Sequence, residues 1–214
     1  MKINTNSNAY TIVYSIVMVV IVALLLAVVS AVLKPRQEMN VALDEKKQVL
    51  SSLNERGLSD AEAEQTYKDQ ITEVSCEKCG LSWMEANLKG EKKYIVKVSG
   101  VGLWGGIRGY IALDADKNTI YGVYFNHDSE TPGLGAEIKE EPFQHRFEGK
   151  KLRENGEFIR IVKGIPEGNE VEAVSGATIT SKGVEAMIAN SFAPYVEAGF
   201  FAEPETADTI KKED

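Results

Sequence analysis

Hydrophobic and polar positions divide the chain into three regimes. Residues 11–33, TIVYSIVMVVIVALLLAVVSAVL, form an apolar run of 23 positions without a charged side chain. As a helix this run measures about 35 Å, enough to cross a ~30 Å hydrocarbon core. A strand of that length is foreign to a soluble domain. Tyr10 and Tyr14 sit at one end, where aromatic rings favour the interface, and Lys34, Pro35 and Arg36 close the other. The run predicts a single transmembrane helix after an N-terminal tail, residues 1–10. A cleaved signal peptide is the competing reading, with an unusually long apolar core and only Lys2 ahead of it.

Helical spacing follows. Met39, Leu43, Val49, Leu50 and Leu53 fall near one face over residues 37–54, with Lys46 interrupting and Gly57 ending the pattern. Ser59 with Glu62 three residues on is a capping-box signature for a second helix over 60–71. Residues 34–75 thus read as a helical stalk or N-terminal lobe. Alternation then takes over: over 93–99, Tyr94, Val96 and Val98 oppose Ile95 and Lys97. Residues 108–113 and 119–126 are further strands, and the turn formers at 114–118 join them as a hairpin. Another strand is expected at 158–162. Residues 179–193 read as a helix with Val184, Met187, Ile188 and Phe192 inward; Pro194 ends or kinks it, with resumption as far as Phe200. Strands grouped before a final helix predict an α+β domain, mainly antiparallel sheet with a long C-terminal helix, over 76–202. A polar tail, 203–214, follows.

Composition changes this picture at one point. The chain has 214 residues and a net charge of −8, yet only Lys2 among its charged residues precedes residue 34. The 181 residues after the apolar run carry 23 basic and 32 acidic side chains, a net −9. That balance excludes nucleic acid as a partner, which needs a basic footprint. Two cysteines exclude a disulfide-rich scaffold and a zinc ribbon. Lys34, Arg36, Lys46 and Lys47 flank the run on its C-terminal side. Counted by the positive-inside rule, they would leave the following domain in the cytoplasm.

Several motifs then bear on chemistry. Gly100-Val-Gly102-Leu-Trp-Gly105 satisfies G-x-G-x-x-G, but strand follows it and Ile120 stands where a dinucleotide site needs an acidic residue. It reads as a glycine-rich connection that lets something approach the backbone. Cys76-Glu-Lys-Cys79 is compatible with a local disulfide or with two free thiols. His127-Asp-Ser-Glu130 reads as a polar loop rather than a metal site. Ser175-Gly-Ala-Thr-Ile-Thr-Ser181 opens the last helix. One hydroxyl suffices to cap a helix, so the others are surplus to that role. A helix N-terminus with close backbone approach at Gly176, hydroxyls at Thr180 and Ser181, and Lys182 nearby would also suit a phosphate. Both readings stand on the residues alone.

This segment resembles the S-G-A-T-x-T-S flavinylation motif, and Glu130-Thr-Pro-Gly-Leu-Gly135 resembles a second block of the same FMN-binding family. With Gly102-Leu-Trp104, the apolar helix and Lys34-Pro-Arg-Gln37, the chain resembles the C subunits of the Na⁺-translocating NADH:quinone oxidoreductases. The related G subunit of the Rnf complex is the alternative; it shares the first two blocks. A membrane-anchored binding or scaffold domain without redox cofactor is the reading from another class. One departure is Glu172, where an Asp often precedes the motif.

The resemblance implies FMN esterified through its phosphate to Thr178, with Ser175, Gly176, Ala177, Thr180 and Ser181 around the attachment. It implies Glu130, Thr131, Leu134 and Trp104 near the isoalloxazine ring. It further implies an electron carrier, not catalytic alone, whose partners are the other subunits of a sodium-pumping respiratory complex. An FMN transferase would load it. Its place would be a bacterial inner membrane, single-pass, with the flavin domain on the periplasmic side, contrary to the charge count.

Overall fold

A computed structural model describes residues 7–76 and 79–200. The polar tail 203–214 and the first six residues of the N-terminal tail lie outside the described residues. Helix α1, Asn8–Ser52, is one element of 45 residues with Pro35 inside it. Separate helices at 11–33 and 37–54 were expected, and Pro35 was expected to end the first. Proline removes one backbone donor, but the turns on either side keep their own hydrogen bonds and carry the helix across. The chain divides into two compact units, 1–44 and 45–214. In the first, α1 is exposed along its apolar stretch and is long and apolar enough to cross a membrane.

The second unit begins with the last turns of α1, where Val49 and Leu50 are buried, as is Leu53 just beyond the helix end. Helix α2, Asp60–Gln70, starts at the expected capping box, in which Ser59 and Glu62 serve each other's backbone N–H groups. A five-stranded antiparallel meander follows: β1 (Ile71–Cys76), β2 (Leu81–Leu88), β3 (Glu91–Val101), β4 (Gly106–Leu113) and β5 (Ile120–His127), in spatial order β1-β2-β3-β4-β5. The alternation in β3 does its expected work. Val96 and Val98 enter the main core, while Ile95 joins Val49, Leu53, Ala86 and Tyr110 on the other face. β4 and β5 form the expected hairpin. β1 and β2 were not expected as strands: β1 is an edge strand in which no residue is fully buried, Ile71, Val74 and Cys76 being half-buried and the rest exposed. The stalk-to-domain boundary at residue 76 therefore falls at the tip of this hairpin, where Cys76 and Cys79 form a disulfide.

Beyond β5 the chain forms a 3₁₀ turn (Gly135–Lys139), the short helix α3 (Glu141–Gln144) and four short strands. The strand expected at 158–162 is divided. β7, Glu157–Phe158, pairs with β6, Arg153–Glu154, whereas β8, Arg160–Val162, runs parallel to β9, Glu170–Glu172. Ile159 between them is buried and turns its N–H to the Leu152 carbonyl. Helix α4, Thr178–Glu197, then lies against β3 and continues past Pro194. Its Val184, Met187, Ile188, Phe192 and Tyr195 complete the main core. The contact with β3 is close: a Cβ on Gly183 would lie 2.5 Å from the Val101 carbonyl oxygen.

Candidate functional site

The N-terminus of α4 is set by the strand before it. The Ala173 N–H donates to the Val162 carbonyl at 2.8 Å, extending the β8–β9 pair, and the chain then turns back through Ser175 and Gly176. Gly176 has φ +75°, a left-handed conformation that glycine adopts without steric cost. A Cβ there would also meet Leu134 Cδ2 at 2.9 Å. The N-cap is Ala177, and no side chain caps it. Of the four hydroxyls weighed as caps, Ser181 is buried and accepts from the Val174 N–H at 3.1 Å. Thr180 is buried and donates to Glu130 Oε2 at 2.6 Å. Ser175 and Thr178 are exposed. The first-turn N–H groups of α4 thus have neither an intrahelical partner nor a side-chain cap.

Glu130 organises the opposite wall. It is 5% exposed, and its carboxylate accepts from Thr180 and from the Trp104 backbone N–H at 2.8 Å. Burial pushes its pKa up, but hydrogen bonds from Thr180 and the backbone of Trp104, Leu103 and Gly105 outweigh it. The carboxyl stays below its ordinary value. This one side chain joins the β3–β4 turn to the first turn of α4. Glycine at 135 follows from that arrangement, because a Cβ would collide with Glu130 Oε2 and lie 2.7 Å from Thr180 Oγ1. The turn bearing Trp104 is closed by the Gly102 N–H on the Gly105 carbonyl at 2.8 Å, so G-x-G-x-x-G here is a hairpin connection.

Between these walls lies a cleft of about 260 Å³. Trp104, Glu130, Thr131, Leu134, Gly176, Ala177, Thr178 and Thr180 line it, as do Leu103, Gly135 and Ile179. Ser175 and Ser181 are not among its lining residues, and the backbone bond of Ser181 explains its position. Leu103 and Gly135 sit inside the blocks already singled out, whereas Ile179 occupies the variable position of its motif. Lys182 does not serve the cleft either; its ammonium holds both oxygens of Glu185 at 2.8 Å. The rim is apolar: Leu103, Trp104, Leu134 and Ile179 are exposed, Trp104 by 68%. His127 Nδ1 accepts from the Glu130 N–H, and Asp128 pairs with Arg108. No three His, Cys, Asp or Glu side chains among the described residues are arranged to hold a metal.

The arrangement has close relatives. Residues 102–193 match the FMN-binding domain family. The crystal structure of the Na(+)-translocating NADH-quinone reductase C subunit from Parabacteroides distasonis superposes with a TM-score of 0.71 at 38% identity, covering 80% of this chain and 98% of that one. The chain belongs to the family of C subunits of the Na(+)-translocating NADH-quinone reductases. The C subunit of Chlamydia muridarum is 35% identical over 149 residues, 60% of this chain and 47% of that protein. The C subunit of Vibrio anguillarum is 42% identical over 98 residues, 44% of this chain and 38% of that protein. The chain thus spans less than half the length of these curated relatives. The crystal structure of Shewanella oneidensis NqrC, at 24% identity and a TM-score of 0.62, shares the fold.

Proposed function

We propose that this chain is a membrane-anchored electron-transfer protein that carries FMN covalently on Thr178 and works within a sodium-pumping NADH:quinone oxidoreductase. The observation that carries this reading is the uncapped N-terminus of α4 lining an apolar-rimmed cleft, with Thr178 exposed at it. A phosphodiester keeps about one negative charge, and the free first-turn N–H groups with the helix dipole can stabilise it. No lysine or arginine lines the cleft, so that task falls to the backbone. Leu103, Trp104, Leu134 and Ile179 offer apolar surface to a flat ring and limit water at it. When bound, the flavin supplies one- and two-electron steps. Glu130, committed to Thr180 and the Trp104 turn, holds the two walls at a fixed spacing. Ser175 and Gly176 leave the attachment point open to an FMN transferase.

Exposed apolar surface along α1 supports anchoring by a single span. The disulfide between Cys76 and Cys79 supports a domain outside the cytoplasm, in a bacterial inner membrane, despite the flanking positive charges. The other subunits of the complex are then its partners.

The chain made together with a flavin transferase should fluoresce as a flavin band on a denaturing gel. Its intact mass should rise by that of FMN less one water, and Thr178→Ala should abolish both signals. Absence of label on the parent chain would overturn the reading. Orientation has its own test: a C-terminal reporter active only outside the cytoplasm should be active, and a silent reporter reverses the placement.

A further inference from the structure

The disulfide between Cys76 and Cys79 lies outside the cleft and has no part in the flavin reading. It links Cys76, the last residue of β1, to Cys79, two positions before β2. That hairpin is closed without it: six residue pairs run from Ile71↔Ala86 to Cys76↔Leu81, and the Gly80 N–H donates to the Cys76 carbonyl at 2.8 Å. A cross-link between residues three apart restricts the unfolded chain less than one closing a longer loop. The bond therefore adds little to a hairpin that the ladder already holds. Its two cysteines are also unequal. Cys79 is exposed and Cys76 half-buried, and the Cys79 N–H donates to Cys76 Sγ at 3.3 Å. That donor favours negative charge on Cys76. A nucleophile from solvent meets Cys79 first, and the group it displaces is the one the N–H stabilises.

We propose that Cys76 and Cys79 form a thiol–disulfide exchange site whose reactant is a protein dithiol of the C-x-x-C class. A thiolate of that dithiol attacks Cys79 Sγ; the S–S bond breaks, and Cys76 leaves with the electron pair and takes up a proton. The second thiol of the partner attacks its own sulfur in the mixed disulfide and releases Cys79, which is protonated in turn. The pair gains two electrons and two protons, and the partner is oxidised to its disulfide. The hairpin adjoins the end of α4, since the Tyr195 hydroxyl donates to the Ser82 carbonyl at 2.5 Å and Trp83 packs edge-on against Phe200. Exchange therefore acts on an element bound to the core.

The test uses the full chain as isolated from membranes, whether or not it carries flavin, so failure of the flavin reading leaves it intact. A reduced thioredoxin-class protein with its second cysteine replaced by serine traps the mixed disulfide. Trapping on Cys79 in about tenfold excess over Cys76, at a rate within about tenfold of that of the urea-unfolded chain, supports the site. Equal trapping on both cysteines, or reaction of the unfolded chain alone, overturns it, as does intact mass showing two free thiols before treatment. A Cys76→Ser/Cys79→Ser variant should keep its melting temperature to within a few degrees; a large loss would show the bond to be structural and overturn the proposal.

Discussion

At the scale of single residues, Glu130 joins two walls of the cleft while only 5% exposed. Its carboxylate accepts from a buried hydroxyl and from the turn bearing Trp104, and its pKa lies below the ordinary value. The folded chain therefore binds fewer protons at this group than the unfolded chain, whose value is about 4.3. Its contribution to stability is complete above that pH and is lost as pH falls through the lower, folded value. Glu130→Gln should cost about 1–3 kcal/mol at pH 7, and the deficit should narrow in acid. Urea midpoints at neutral and acid pH check this; a deficit independent of pH would assign the loss to packing alone. The E-T-P-G-L-G block pointed to Glu130 but not to this role, because its partners lie 26 and 50 positions away in the chain.

At the scale of elements, the start of α4 divides its hydroxyls between two tasks. Ser181 satisfies the Val174 N–H inside the core, whereas Thr178 stands exposed at the cleft. Ser181→Ala should cost about 1–2 kcal/mol by orphaning that N–H, and it should leave flavin labelling in place. Thr178→Ala should do the reverse, changing stability by less than about 0.5 kcal/mol while removing the label. Thermal denaturation and in-gel fluorescence on the two variants measure both effects; loss of label in Ser181→Ala would contradict this division. The elements also show where periodicity reads well. β3 alternates from Val96 to Ser99, because Val96 and Val98 enter the main core while Lys97 and Ser99 are exposed, and Ile95 breaks the pattern by joining a second core on the other face. β1 carries a weaker signature, with no residue fully buried, since an edge strand is held by its ladder to β2 and needs no fully buried face. Pro35 and Pro194 both lie inside helices, where neighbouring turns outweigh one missing donor.

At the scale of the whole molecule, the division at residue 44 does not coincide with any end of secondary structure. Helix α1 belongs to both units, and its last turns are core: Leu50 is fully buried, beside Val49 and Leu53. A chain starting at Glu45 should fold in water and melt as the full-length second unit does. Leu50→Ala in that chain should cost about 2–5 kcal/mol. Calorimetry on the truncated chain and its variant checks both; failure to fold would make the second unit dependent on residues 1–44.

The residues by themselves determined what is local and periodic. A charge-free run of helical length, alternation in β3, the capping box at Ser59 and Glu62, and two short glycine-bearing blocks each carry their meaning within a few positions of the chain. The tertiary structure decided what depends on distant partners. It closed the disulfide, added β1 and β2 to the sheet, and turned Lys182 and Ser181 away from the cleft. It also set Glu130 between Thr180 and the Trp104 turn. The physical reason is common to all of these: a hydrogen bond or a ladder is satisfied by whichever group the fold brings within reach, and that choice leaves no period in the sequence.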